Sequence, residues 1–198
     1  MTTTRTRILD ASTELFRRQG MSGTGLKQIA ESAKAPFGSI YHFFPGGKDD
    51  LAGQTIRRAG GEYRDLVMAF FVDPDGPDSL VDSVATAFTA AGQVLEATDY
   101  ADACPIATVA LEVASTNETL RTATAEVFTD WIEVGAAHIE RYRVPHEDAR
   151  RLIIGFITSL EGAFVLARAL RSTEPLEAAS RNVQASVREA LGLRPPQP

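Results

Sequence analysis

The sequence predicts an all-α protein of about nine helices. Three observations carry that prediction. No stretch alternates apolar and polar residues for long enough to make a strand. Apolar residues instead recur at three- and four-residue spacing along most of the 198 residues. Breaker clusters at Gly20, Pro45-Gly46-Gly47 and Asp73-Pro74-Asp75-Gly76-Pro77-Asp78 punctuate the periodic runs.

Taken in order, Ile8, Ala11, Leu15 and Phe16 form the apolar face of a first helix that Gly20 stops. Leu26, Ile29, Ala30 and Ala33 give a second, short helix, with Thr24 placed to cap it. Pro36 suits the first turn of a third, running through Ile40 to about Phe43. A long fourth helix from about Lys48 carries Ile56, Ala59, Tyr63, Leu66, Val67 and Phe70 and ends at the linker beginning with Asp73. Five more helices follow. They carry Leu80 to Leu95, Pro105 to about Ala114, Phe128 to Ile139, about Glu147 to Arg171, and about Pro175 to Leu191. The tail, Arg194-Pro195-Pro196-Gln197-Pro198, is expected to be disordered.

Hydrophobic residues make up 44% of the chain, enough for a globular core and too many for a disordered protein. One cysteine, Cys104, excludes a disulfide framework, and the N-terminus has no apolar signal core. A cytoplasmic location is expected. The net charge of −6 hides a split: residues 1–60 carry nine Lys/Arg against five Asp/Glu, and the remainder eleven against twenty-one. A basic head on an acidic body implies a separate partner for each. Phosphate binding needs only local positive charge.

Leu152–Ala167 is nearly apolar throughout. It falls short of a membrane span of roughly 18–20 residues and contains Glu161. The expectation is therefore no membrane, with one face meeting the core and another meeting a second copy of the chain. Gly155, Ser159, Ala163 and Ala167 form an i+4 ridge of small residues that admits a close helix. With Val183 and Val187 they are the candidate dimer interface.

The second and third helices, joined by a short turn at Lys34-Ala35, have the form of a helix-turn-helix, whose second helix lies in the DNA major groove. Ser39, His42 and Tyr41 offer polar groups there, flanked by Lys34 and Lys48, while Lys27 and Thr24 stand where a phosphate can be reached. Arg5 and Arg7 are either a groove-reaching arm or solvated side chains.

The segments Thr24-Gly25-Leu26-Lys27-Gln28-Ile29-Ala30, Gly38-Ser39-Ile40-Tyr41-His42-Phe43-Phe44-Pro45 and Lys48-Asp49-Asp50-Leu51 resemble the DNA-binding domain of TetR/AcrR-family transcriptional regulators over about residues 5–60. The doubled glycine before Lys48, with Cys104-Pro105-Ile106-Ala107, is similar to the LmrA/YxaF-like subgroup. The resemblance implies a dimer with a helix-turn-helix domain over 1–47, extending to about 60, and a ligand-binding and dimerisation domain over 48–198. It implies operator DNA and a small-molecule effector as partners. By position it assigns Thr24, Lys27, Lys34, Pro36, Phe37, Ser39, Tyr41, His42 and Lys48 to the DNA-binding site. Phe37 stands where the family often has a polar or basic residue, so it either touches thymine methyls or packs. Lys34 replaces the usual turn glycine and is expected in a left-handed conformation. Gly25 replaces a usual threonine, which removes one phosphate-binding hydroxyl.

In the body, Phe88, Cys104, Phe128, Trp131, Phe156 and Phe164 are candidate lining for an effector cavity, with His138 as a polar anchor. Plain core is the competing reading for each. Enzyme signatures fail. Gly46-Gly47-Lys48 has His42 and Asp49 where a phosphate loop needs Gly and Ser/Thr, and the three histidines lack metal spacing. No catalytic residue, metal or cofactor is expected. The reading is a repressor released by a ligand; its rival is a helical carrier or enzyme with a vestigial head.

Overall fold

The structure, a computed structural model, describes residues 2–71 and 76–193. Among them are nine α-helices and no strand. They are α1 (Thr4–Gln19), α2 (Leu26–Ser32), α3 (Gly38–Phe43), α4 (Gly47–Met68), α5 (Pro77–Ala97), α6 (Pro105–Val113), α7 (Glu118–Glu140), α8 (His146–Leu170) and α9 (Glu174–Ala190). A one-turn 3-10 helix, Ala69–Phe71, follows α4. The expected linker is described only from Gly76, and the tail from Arg194 lies outside the described residues.

The predicted order and number hold, and the boundaries move for local reasons. Thr3 caps α1, its hydroxyl accepting from the Thr6 amide at 3.1 Å. At the other end Gly20, at φ 75°, leaves the helix while its amide still donates to the Phe16 carbonyl at 3.0 Å. The third helix starts at Gly38, not Pro36, because Pro36 and Phe37 form the turn whose carbonyls accept from Ser39 and Ile40. The cap of α2 is Gly25, not Thr24, and makes no side-chain capping bond.

The chain divides into two compact units, residues 1–63 with 103–128 and residues 64–102 with 129–198. In the first, α1 packs on α2, α3 and α6. Ile8, Phe16, Ile29, Ile40, Phe44, Leu51, Ile56, Ile106 and Leu120 are fully buried there. Buried Ser12 and Thr55 satisfy their hydroxyls on carbonyls one turn back, at 2.8 Å each. Gly60 of α4 lets Val127 of α7 approach: a Cβ at Gly60 would lie 2.4 Å from a Val127 methyl.

In the second unit, α5 and α8 both pack on α9. Its core holds Leu80, Val84, Phe88, Leu95, Leu176, Val183 and Val187, together with Ala163 and Ala167 of α8. That placement corrects four of the six expected interface residues, since Ala163, Ala167, Val183 and Val187 are buried within their own chain, whereas Gly155 and Ser159 are only partly buried. An i, i+4 row winds about 40° round a helix at each step. The row therefore starts at Gly155, where a Cβ would meet nothing, and ends at fully buried Ala167. The row one residue earlier stays outside: Ile154, Thr158, Gly162, Leu166 and Leu170 are all exposed. By length and composition α8 is also apolar enough to cross a membrane, the only such helix among the described residues.

Candidate nucleic-acid interface

The helices α2 and α3 have seven and six residues, too short to persist alone. Side chains from elsewhere in the first unit hold them. The guanidinium of Arg7 on α1 donates to the Ala33 carbonyl at 3.0 Å and to the Lys34 carbonyl at 3.4 Å, so the turn is tied at its centre. Lys34 sits at φ 50°, as its substitution for a turn glycine predicts. The Ala35 amide closes the turn on the Ala30 carbonyl at 2.9 Å. Arg5 donates to Gln54 and lies over the Phe44 ring, 5.8 Å from its centroid. Neither arginine is a free arm. No local signal marks Arg7, because its acceptors lie 26 and 27 residues away.

The loop between α1 and α2 is held equally firmly. Thr24 is buried and its hydroxyl donates to the Gly20 carbonyl at 2.6 Å. Its assignment to phosphate binding is thereby corrected, since the hydroxyl faces inward and is already bonded. The Gln19 amide donates to the Gly23 carbonyl at 2.8 Å and to Gln28 at 2.9 Å. From α6, the Glu112 carboxylate accepts from the Ser22 amide at 2.8 Å. A side chain at Gly20 would collide with that carboxylate.

At the far end of α3, the doubled glycine has two separate reasons. Gly47 lies at φ 71°, where only glycine is unstrained. A Cβ on Gly46 would lie 2.8 Å from that of Asp50, whose carboxylate accepts from the Gly46 amide at 3.2 Å. Lys48 follows in the first turn of α4, partly exposed.

The remaining assigned residues share one surface pattern. Ile40 and Phe44 of the α3 region are wholly buried, whereas Lys27, Lys34, Pro36, Phe37, Tyr41 and His42 are exposed or half-exposed and Ser39 lies on the same outer side. The Phe37 and Tyr41 rings meet edge to face with centroids 5.8 Å apart, and His42 meets Phe43 similarly at 4.8 Å. Lys27 stands 4.0 Å from Glu31, both highly exposed.

The effector candidates divide. Phe88, Phe156 and His138 join one aromatic network in the second unit, extended by Phe71 and Tyr142, with ring centroids 5.4–6.1 Å apart. Phe164 packs on the same core, and Trp131 is partly buried. Cys104 and Phe128 belong to the first unit. There the Cys104 sulfur accepts from the Ala107 amide at 3.5 Å and caps α6. No group of three or more potential metal ligands occurs among the described residues.

With this geometry established, known proteins fall into line. The N-terminal domain of bacterial regulatory proteins of the tetR family matches residues 8–55. The C-terminal domain of LmrA/YxaF-like transcriptional regulators matches residues 81–182. The uncharacterized HTH-type transcriptional regulator Rv0196 of Mycobacterium tuberculosis is 30% identical over 185 residues, covering 91% of this chain and 92% of that one. The HTH-type transcriptional repressor DhaR of a Mycobacterium species is 24% identical over 89% of this chain and 88% of its own. A TetR transcriptional regulator from Legionella pneumophila shares the fold with a TM-score of 0.79 and 20% identity, covering 94% of this chain and 98% of that one.

Proposed function

The chain belongs to the TetR family of bacterial regulatory proteins, in its LmrA/YxaF-like branch, and is a DNA-binding transcriptional regulator; from that premise we propose that it acts as a homodimeric repressor released from its operator by a small molecule. The observation that carries the proposal is the division of α3. Ile40 and Phe44 anchor it, and Phe37, Tyr41 and His42 remain exposed between Lys34 and Lys48. In a major groove the aromatic and hydroxyl groups of α3 meet base edges. Lys27, Lys34 and Lys48 neutralise the flanking phosphates.

Two such heads, one turn of B-DNA apart at about 34–36 Å, fit a near-palindromic operator. The second copy docks on the exposed row of α8, which supplies the apolar face that a lipid bilayer would otherwise have to cover. The aromatic network around Phe88, Phe156 and His138 is the candidate effector pocket. The reading head is residues 1–47 with the start of α4 to about residue 60, and the rest serves effector and partner. The effector releases DNA only by binding better to the dimer state whose heads do not fit the operator. The protein works in the cytoplasm, without catalysis, metal or cofactor.

The deciding experiment is binding of the protein to duplex from upstream of its own and neighbouring genes, titrated with salt. Selective binding with a steep salt slope is expected. Lys48→Ala is expected to weaken all duplexes alike and to lower the slope by about one for each phosphate it no longer neutralises. Binding no better than to random DNA at low salt would instead support the carrier or enzyme with a vestigial head.

A further inference from the structure

Two large rings stand half-exposed on the recognition surface. Phe37 is 48% exposed and Tyr41 52%, although both are large and α3 is anchored without them by Ile40 and Phe44. Their edge-to-face contact sets them side by side, one helical turn apart. Each ring shields part of the other, and both leave about half their surface bare.

The polar groups around them are poorly suited to reading bases. From Leu26 to Phe44 there is no arginine and no asparagine, the side chains that grip guanine and adenine through paired bonds. Gln28, which has the right amide, is paired with Gln19 by bonds of 2.9 and 3.3 Å. Thr24 is buried, and Lys27 faces Glu31. Ser39, His42 and the Tyr41 hydroxyl are what α3 itself has for hydrogen bonding. Against that thin set stands a concentrated apolar surface at the leading end of the helix. A major groove presents one apolar group to such a surface, the C5-methyl of thymine.

We infer that Phe37, braced by Tyr41, is the specificity-determining residue of the head, and that it recognises a thymine by its methyl group. The inference rests on the DNA-binding reading above and sharpens it. A phenyl ring adds nothing to phosphate attraction, so Phe37 contributes to selectivity and leaves non-specific affinity unchanged. The ring of Tyr41 supports the Phe37 ring edge to face, and Gly38, where a Cβ would project into open space, adds no side chain beside it.

The test uses the full chain and a pool of randomised duplexes. Sites enriched by the wild-type protein are resynthesised with deoxyuridine replacing each thymidine in turn, which deletes only the methyl. At one thymine per half-site, wild type is expected to lose about fourfold in affinity for each methyl removed, the size expected for one buried methyl group. Phe37→Ala is expected to bind the thymine and uracil duplexes equally, with an unchanged salt slope and with helix content retained at the temperature of the assay. Phe37→Leu keeps part of the discrimination, and Phe37→Arg, selected on the same pool, changes the preference at that base pair to guanine. Equal wild-type binding to every uracil-substituted duplex overturns the inference while leaving the DNA-binding function intact. So does discrimination that survives in Phe37→Ala. A pool from which no sequence is enriched overturns both this inference and the regulator reading on which it rests.

Discussion

The two compact units expose apolar surface in opposite styles. Apart from Leu111 on α6, the first does so with two rings set among lysines, Phe37 just before a helix of six residues and Tyr41 within it. The second does so with an aliphatic row, Ile154, Leu166 and Leu170 with Val165 beside it, on a helix of 25 residues. A polyanion requires charge around any apolar contact, so a small aromatic patch ringed by cations suits a groove. A second protein surface requires the reverse, a long face nearly free of charge. The supports differ in the same way. Short α2 and α3 depend on side chains such as Arg7, Gln19, Glu112 and Asp50 bonding to the backbone around them. Long α8 supplies its own hydrogen-bond ladder and is held by packing on α9.

The contrast is broken most forcefully on α8. Leu166→Asp combined with Leu170→Asp places two charges on the proposed docking row without touching the core, so helix content is expected to be unchanged. Sedimentation should then show monomers, and operator affinity should fall by about a hundredfold or more as two linked heads become one. A double variant that stays dimeric removes α8 from the interface.

A smaller effect separates packing from propensity within α4. Gly60→Ala drives a Cβ into Val127 and should cost about 1–3 kcal/mol in thermal or urea unfolding. The neighbouring Gly61→Ala meets open space and should stabilise by about 0.5–1 kcal/mol through helix propensity alone. Equal responses at the two positions would show that Val127 does not press on Gly60.

The smallest effect is electrostatic. The Arg57 guanidinium donates to Glu126 at 2.6 Å and holds that carboxyl below the usual carboxylate range. A carboxyl depressed in the folded state stabilises above its unfolded pKa, and the stabilisation disappears as the pH falls through the folded value. Arg57→Met should therefore melt slightly below wild type at neutral pH. The gap should close in acid, below about pH 4, and shrink in high salt.

What can be read from the sequence follows how local each signal is. The nine helices found among the described residues and their order are visible there, because periodicity and breakers act within a few residues, and the left-handed Lys34 is what the family resemblance implies by putting a glycine in that turn. The exposed set on and around α2 and α3 comes from the resemblance, which assigns it by position in the motif. Thr24 misleads: the same residue type caps a helix or closes a loop inward, and only the position of Gly20 decides which. Arg7 escapes a local reading because its acceptors lie across the fold. The small-residue ridge of α8 misleads in its second half, because small residues admit any close neighbour, and at Ala163 and Ala167 the neighbours belong to the same chain.

The carboxylate of Glu112 has a practical consequence. Because it accepts from the Ser22 amide and packs where Gly20 leaves room, part of the reading head's support is encoded some ninety residues downstream of it. A chimera that grafts residues 1–47 onto a foreign body would leave that support behind. A sensor built from this protein should carry residues 103–128 along with the head, as a discontinuous cassette, if it is to keep its grip on the same DNA.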